Sequence, residues 1–298
     1  MNSCLFTQNL EQIDHQQSIN QLEEGKVLFF PEYFFSSVDS VLLSEHILDG
    51  SRKNVSYDIR TQKLNAYKKE TSELATKLTV MMHGYAEFAH QLIQKVLPSY
   101  VPHLQWGRTS FRPAQIQGRV SSKRKDDTRL HVDSFSASPV HGLRILRVFC
   151  NVNPHEPRVW NLGEPFTDVL HHFAPRIAPY SKVKASLLKL VKATKTLRSP
   201  YDHYMLHLHD TMKLDDAYQA KVAKVRIEFP AKSTWIVFTD HVSHAALSGQ
   251  HLLEQTFYLP VDKMAVPDHS PLNQWKKIRP EMSSCSSQRF KNNSVELG

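Results

Sequence analysis

Apolar positions follow two rhythms along this chain. Between residues 70 and 97 they recur at helical spacing: Leu74, Leu78, Met81, Met82, Tyr85, Phe88, Leu92, Ile93 and Val96. Ala, Glu and Lys fill the gaps and Pro98 supplies a stop, so the pattern predicts one long helix packed on the outside of a sheet. A shorter stripe of the same period, Val38, Val41, Leu42 and Ile47, predicts a helix over 37–48. Residues 1–24 are rich in Gln, Asn and Glu and read as a lead-in, and 26–31 reads as a short buried strand ended by Pro31. Beyond residue 100 the period falls to two. Over 103–113, Trp106, Arg108, Ser110 and Arg112 alternate with Gln105, Gly107, Thr109 and Phe111. Further strands are expected at 142–152, 221–229, 232–240 and 252–260, with a return to helical spacing over 165–221.

Helices first, then short strands broken by one helical insertion, predict the α+β class. The expected core is a mostly antiparallel double-stranded β-helix (jelly-roll or cupin-like) with flanking helices, in which two facing sheets hold a site between them. A single domain would span 1–282. It would comprise a helical N-terminal part and a jelly-roll core over about 100–262, with the insertion at about 165–221 inside it. The Ser- and Asn-rich stretch 283–298 reads as a flexible tail.

Composition narrows the class. Of 298 residues, 41% are hydrophobic and 22% charged, as expected of a globular protein with a sizeable core. No apolar run is long enough to cross a bilayer, and the first ten residues lack the basic and apolar regions of a signal peptide. Cys4, Cys150 and Cys285 lie too far apart for a metal knuckle or a disulfide framework, which fits a reducing cytoplasm. The formal charge of +8 favours acidic partners: nucleic acid, an anionic membrane surface or an acidic small substrate. Nucleic acid is disfavoured, because aromatic residues do not interleave with the basic ones.

Candidate chemistry centres on Leu130-His131-Val132-Asp133, an H-x-D unit just before the strand carrying Arg144 and Arg147. A second histidine follows a later strand in Asp240-His241-Val242-Ser243-His244. Two histidines and one carboxylate can occupy one face of Fe(II) and leave the other open for a co-substrate and O₂. His131 and Asp133, two apart on extended chain, point to the same face. An isolated H-x-D arises by chance in a chain with 17 histidines, so the flanking strands and the distant histidine carry the reading. His244 is preferred to His241, because Ala245-Ala246-Leu247-Ser248-Gly249 reads as a small-residue turn beside a cavity. His241 then reads as a surface imidazole paired with Asp240. The remaining histidines, among them His209 and His251, read as surface or capping residues.

A 2-oxoglutarate co-substrate would need a buried cation for its far carboxylate, and a guanidinium suits it. Arg147 shares a strand face with Ile145 and Phe149. A charge there is costly unless it meets an anion, so Arg147 is the first candidate and Arg112 the second. Arg144, of opposite parity, reads as a surface residue. Arg119, Arg129 and Arg144 are the reserves.

These segments together resemble the Kdo 3-hydroxylases. The resemblance rests on Arg129 to Phe135, Arg144 to Asn153, His244 to Gly249 and Leu253 to Phe257. It is extended by Trp160, Gly163-Glu164-Pro165-Phe166 and His209-Asp210-Thr211-Met212-Lys213, and it runs over most of 20–282. It implies an Fe(II)/2-oxoglutarate-dependent dioxygenase, held at iron by His131, Asp133 and His244. The implied substrate is the 3-position of a Kdo sugar (3-deoxy-D-manno-oct-2-ulosonic acid) on Kdo–lipid A. Many dioxygenases carry an arginine about ten residues after the second histidine. Here Gln255 falls near that position, so the anchor must come from elsewhere, with Gln255 lining the pocket. Other readings are a 2-oxoglutarate dioxygenase for a protein or nucleic acid, an isomerase or lyase on the same metal site, and a basic binding module without catalysis. Lys182, Lys184, Lys189, Lys192 and Lys195, with Leu187, Leu188, Leu190 and Val191 among them, predict a helix. It is either a core helix with a solvated face or a charge-driven contact with an anionic membrane, at the inner face of the cytoplasmic membrane of a Gram-negative bacterium.

Overall fold

The computed structural model describes residues 4–282 except Ser51, Glu70 and Ala193; the expected tail 283–298 and Cys285 lie outside the described residues. The N-terminal part contains β1 (Leu5–Thr7), α1 (His15–Glu23), β2 (Val27–Phe30), β3 (Val55–Asp58), β4 (Lys63–Asn65) and α2 (Ser72–Val96). There follow β5 (Gln105–Arg112), β6 (Arg144–Asn151) and β7 (Arg158–Leu162). Then come α3 (Phe166–Phe173), α4 (Lys182–Leu190), α5 (Pro200–Leu214) and α6 (Asp216–Lys221). The chain closes with β8 (Val225–Phe229), β9 (Ser233–Phe238), β10 (His244–Ser248), β11 (Leu252–Leu259) and α7 (Pro271–Ile278).

Two sheets face each other. The larger runs β1-β2-β9-β6-β11-β5-β3-β4 and is antiparallel apart from the β1–β2 pair. The smaller runs β10-β7-β8, also antiparallel. A single bridge joins His131 to His244 at the free edge of β10. Alternation explains the packing, because each strand buries one set of side chains between the sheets and the other outside them. Phe149, Trp235 and Leu252 from the large sheet meet Trp160 and Phe229 from the small one, and Phe229 stacks on Trp235 at 3.9 Å. The opposite parity, with Leu146, Val148, Leu253 and Phe257, packs under α2. That helix starts where the Thr71 side chain accepts from the Leu74 N–H, and its apolar stripe from Leu78 to Val96 is buried as expected. Helices α3, α5, α6 and α7 form a third cluster that includes Leu130 and Val132. The H-x-D segment is thus held between a sheet edge and a helical cover.

Several expectations change. Residues 37–48 form two short 3₁₀ turns, Ser40–Leu42 and Glu45–Ile47, rather than a helix. Asp39 and Ser44 each accept a backbone N–H two residues on, which favours separate turns, and Val41 is exposed. The lead-in carries β1 and α1, so the N-terminal part is not purely helical. Strand β1 has only three residues, too few to show a period. Strand β7 was not foreseen at all. Residues 245–249 are mostly strand rather than turn, because Ala245 and Ala246 pair with Asn161 and Trp160.

Candidate metal centre

His131, Asp133 and His244 converge, each offering a ligand atom within 4.8 Å of the others. Their backbone sets this. The His131 N–H donates to the His244 carbonyl at 3.0 Å, and the His244 N–H returns the bond at 2.9 Å. Directly opposed residues on an antiparallel pair lie side by side, and the two imidazole centroids are 4.7 Å apart. Asp133 follows two residues on, its N–H donating to the Thr239 carbonyl at 2.8 Å. Its Oδ1 lies 3.7 Å from His131 Nε2.

Both imidazoles are held in one tautomer. Nδ1 of His131 is 2.8 Å from the Arg129 carbonyl, and Nδ1 of His244 is 2.8 Å from the Val242 carbonyl. A carbonyl only accepts, so Nδ1 carries the proton and Nε2 keeps its lone pair. Burial pushes both imidazoles down, His131 well below the ordinary histidine value, so both are neutral. Burial pushes the Asp133 carboxyl up, but the Arg147 guanidinium at 3.3 Å leads the opposing charges and the net shift is downward. Two neutral imidazoles and one carboxylate form the donor set that Fe(II) takes. Trp160 stacks on His244 at 5.1 Å, and His209 meets His131 edge-on at 5.3 Å. His209 is therefore not the ordinary surface residue expected.

His241 stays outside this cluster. Its ring is buried against Phe166 at 5.3 Å, and Asp240 is engaged elsewhere. The Asp240 carboxylate takes Arg144 in a forked contact, Nε at 2.8 Å and Nη2 at 3.3 Å, with both residues fully buried. The surface His241–Asp240 pair and the surface Arg144 are both overturned. Strand β9 ends at Phe238, so parity does not carry through to residue 241. Arg144, at the start of β6, folds back over the Phe238 ring at 3.8 Å.

The anion candidates differ in what already satisfies them. The Arg147 side chain, 13% exposed, reaches Asp133 at 3.3 Å and Glu254 at 3.1 Å, so the anions it meets here belong to the protein. Arg112 bonds Asp127 at 2.9 Å. Among the reserves, Arg129 bonds Asp216 at 2.6 Å and Arg119 donates to the Arg52 carbonyl at 3.3 Å. Gln255 does not line the pocket. Its amide accepts from Thr109 at 2.6 Å and donates to the Thr256 carbonyl at 2.7 Å. It alternates with Glu254 and shares the α2-side parity of Leu253 and Phe257.

Two cations escaped the sequence reading. Arg158 is 2% exposed, on the same face of β7 as Trp160. It donates from Nη1 to the Gly249 carbonyl at 2.7 Å, its Nε has no partner, and no carboxylate among the described residues pairs with it. Burial and neighbouring Arg112 both oppose its charge. Lys213, at the end of α5, is also 2% exposed. Burial pushes its pKa down, against the pull of Asp127 and Asp133. The rule that singled out Arg147, a charge on an apolar strand, applies equally to Arg158 once β7 is recognised.

The family profile described as 3-deoxy-D-manno-oct-2-ulosonic acid (Kdo) hydroxylase matches residues 6–281. The chain belongs to the Kdo hydroxylase family. It is similar to crystal structures of the Kdo hydroxylase KdoO, a non-heme Fe(II) α-ketoglutarate-dependent dioxygenase. The KdoO complex with α-ketoglutarate and Fe(III) is 43% identical with a TM-score of 0.88, over 93% of this chain and 96% of that one. The apo form is 42% identical with a TM-score of 0.89, over 98% and 99%. The complex with succinate and Fe(III) is 41% identical with a TM-score of 0.88, over 99% and 100%. No curated protein matches the chain. In this family member Arg158 shares its face of β7 with Trp160, which stacks on His244 of the triad.

Proposed function

We propose that this chain is an Fe(II)- and 2-oxoglutarate-dependent dioxygenase that hydroxylates the 3-position of a Kdo sugar on Kdo–lipid A. The observation that carries the reading is the convergence of His131, Asp133 and His244 with both Nε2 lone pairs free. The strand order of the two sheets, with His131 bridged to the free edge of the smaller one, supports reading the core as a double-stranded β-helix.

In this reading the triad holds the iron. Iron with 2-oxoglutarate and O₂ supplies the oxidising chemistry, which yields succinate, CO₂ and a hydroxyl on the substrate carbon. The chain does the positioning. The Arg129 and Val242 carbonyls aim the imidazoles, and Arg147 steadies Asp133 while Glu254 steadies Arg147. Arg147 and Arg112 remain candidate anchors for 2-oxoglutarate, yet each already has a carboxylate. Arg158 has none, and a buried guanidinium without a counter-ion is costly until an anion arrives. We therefore assign the far carboxylate of 2-oxoglutarate to Arg158, with Arg112 beside it. Lys213 is buried, makes no ion pair among the described residues and feels the charges of Asp127 and Asp133, which suits a role toward the sugar's carboxylate. Trp160, Phe149 and Trp235 keep the inter-sheet space dry.

A sugar carried on lipid A would be met at the inner face of the cytoplasmic membrane of a Gram-negative bacterium. No described helix is long and apolar enough to cross a membrane, so the contact in this reading is peripheral. The test is direct. Fe(II)-loaded protein given 2-oxoglutarate and Kdo–lipid A should release succinate and add one oxygen to the Kdo unit. His131→Ala, Asp133→Ala and His244→Ala should each abolish turnover in a folded protein, and His241→Ala should retain it. Product without succinate would favour an isomerase or lyase on the same triad. Activity surviving in His244→Ala would remove the assignment.

A further inference from the structure

Helix α4 is built inside out. Val183, Leu187, Leu190 and Val191 are 80%, 58%, 78% and 61% exposed, whereas Ala185 is the buried side chain. At 100° per residue these four fall within an arc of about 100°, a continuous apolar stripe turned to solvent. The expected alternative, a core helix with a solvated basic face, does not hold, because its largest apolar side chains are the exposed ones. Lys182, Lys189, Lys192 and Lys195 are all exposed and make no ion pair among the described residues. Basic side chains packed against α5 are by contrast neutralised: Lys123 by Asp216 at 2.5 Å and Arg124 by Asp210 at 3.1 Å.

The chain that follows the stripe is tied to the segment that leaves the triad. The Lys195 N–H donates to the Ala137 carbonyl at 3.0 Å, and Arg198 Nη2 donates to the Ser136 carbonyl at 3.0 Å. His141 Nε2 lies 2.9 Å from Thr196 Oγ1. These bonds tie the end of the α4 segment to residues 134–141, which leave directly from Asp133. Phe135 in that stretch lies over Arg147 at 5.6 Å.

We propose that α4 is a membrane-docking helix whose apolar stripe enters the headgroup–acyl boundary of an anionic bilayer, with the surrounding lysines on the lipid phosphates. The inference deepens the proposed function, since it rests on reading the substrate as a lipid-anchored sugar. It differs in the force invoked. Exposed lysines alone would give contact by charge, but a stripe of two valines and two leucines adds burial of apolar area, as in interfacial amphipathic helices. Seating α4 in the interface brings residues 134–141 to the membrane surface, where a lipid-borne sugar can reach the triad.

The experiment separates this idea from the reading beneath it. Full-length protein is sedimented with vesicles of phosphatidylcholine alone or with phosphatidylglycerol, and compared with Leu187→Ser/Leu190→Ser and Lys189→Gln/Lys192→Gln. Hydroxylation of a water-soluble, deacylated Kdo glycoside is measured in parallel. Wild-type should bind the anionic vesicles, and the serine variant should lose about tenfold or more in partitioning while keeping turnover on the soluble glycoside. The residual binding of wild-type should persist at high salt, where charge is screened. Vesicle binding unchanged in the serine variant, or none by wild-type, overturns the proposal. So does a wild-type dimer, broken by the serine variant, that ignores lipid, since a second copy then covers the stripe. Loss of soluble turnover in wild-type would instead count against the proposed function and leave the vesicle result standing.

Discussion

A residue's worth here depends on whether its partner is already present. Arg147 and Arg158 both lie between the sheets, but Arg147 holds Asp133 and Glu254 while Arg158 holds only the Gly249 carbonyl. Different failures are expected. Arg158→Ala should raise the KM for 2-oxoglutarate by about 10- to 100-fold, the equivalent of about 1.4–3 kcal/mol for a lost charge-assisted contact, and change kcat less. Arg147→Ala should weaken iron binding, by about 10- to 100-fold as for other groups that orient a ligand, and lower kcat. Steady-state kinetics with iron titration separates the two. An unchanged KM in Arg158→Ala, with a raised KM in Arg147→Ala or Arg112→Ala, would return the anchor to the residues expected from sequence. Arg147 was legible because it stands among apolar residues of a clear strand. Arg158 was not, because β7 is a five-residue strand flanked by prolines and polar residues.

Elements transmit the site's geometry. Helix α5, which delivers His209 and Lys213, begins at Ser199-Pro200-Tyr201-Asp202, a capping box. Asp202 does more than cap. It accepts from the Ser199 N–H and from the Val140 and His141 N–H groups, each at 2.9 Å, and it is 4% exposed. It thereby clamps the start of α5 to the stretch that leaves Asp133. Ser199→Ala should cost about 1 kcal/mol, as for other N-caps. Asp202→Ala removes a buried acceptor from three part-buried N–H donors and should cost about 2–4 kcal/mol. Urea unfolding gives both numbers, and equal losses would mean that Asp202 acts as a cap only. The long helix α2 was readable because its stripe runs through six turns. The turns at 37–48 were not, because local Asp39 and Ser44 bonds override a stripe that short.

At the scale of the molecule, burial of imidazoles links stability to pH. Burial is the largest cause that holds His131, His241 and His244 all below the ordinary histidine value of about 6.5. The unfolded chain therefore takes up protons near 6.5 that the folded chain refuses. Stability is full above about pH 6.5 and falls as pH drops below it, by up to about 1.4 kcal/mol per pH unit for each histidine. Thermal unfolding of metal-free protein between pH 7.5 and 5.5 checks this, and a flat Tm would refute it. His241→Asn should reduce the slope without touching the triad.

The sequence by itself determined the elements with long periods and the chemistry carried by short spacings. The α2 stripe, the alternation over 105–112 and the H-x-D unit are local, since a period or a two-residue offset fixes which side chains share a face. Which of His241 and His244 joins His131 is not local. It depends on β9 ending at Phe238 and on the bridge that sets His244 opposite a residue 113 positions earlier. The same holds for Arg144, drawn inward by Asp240, and for α4, whose apolar face could be assigned to core or to surface only when its neighbours were in place. A sequence states which groups need burial or a partner. Only the tertiary structure decides which of them find one, because those partners come from distant parts of the chain.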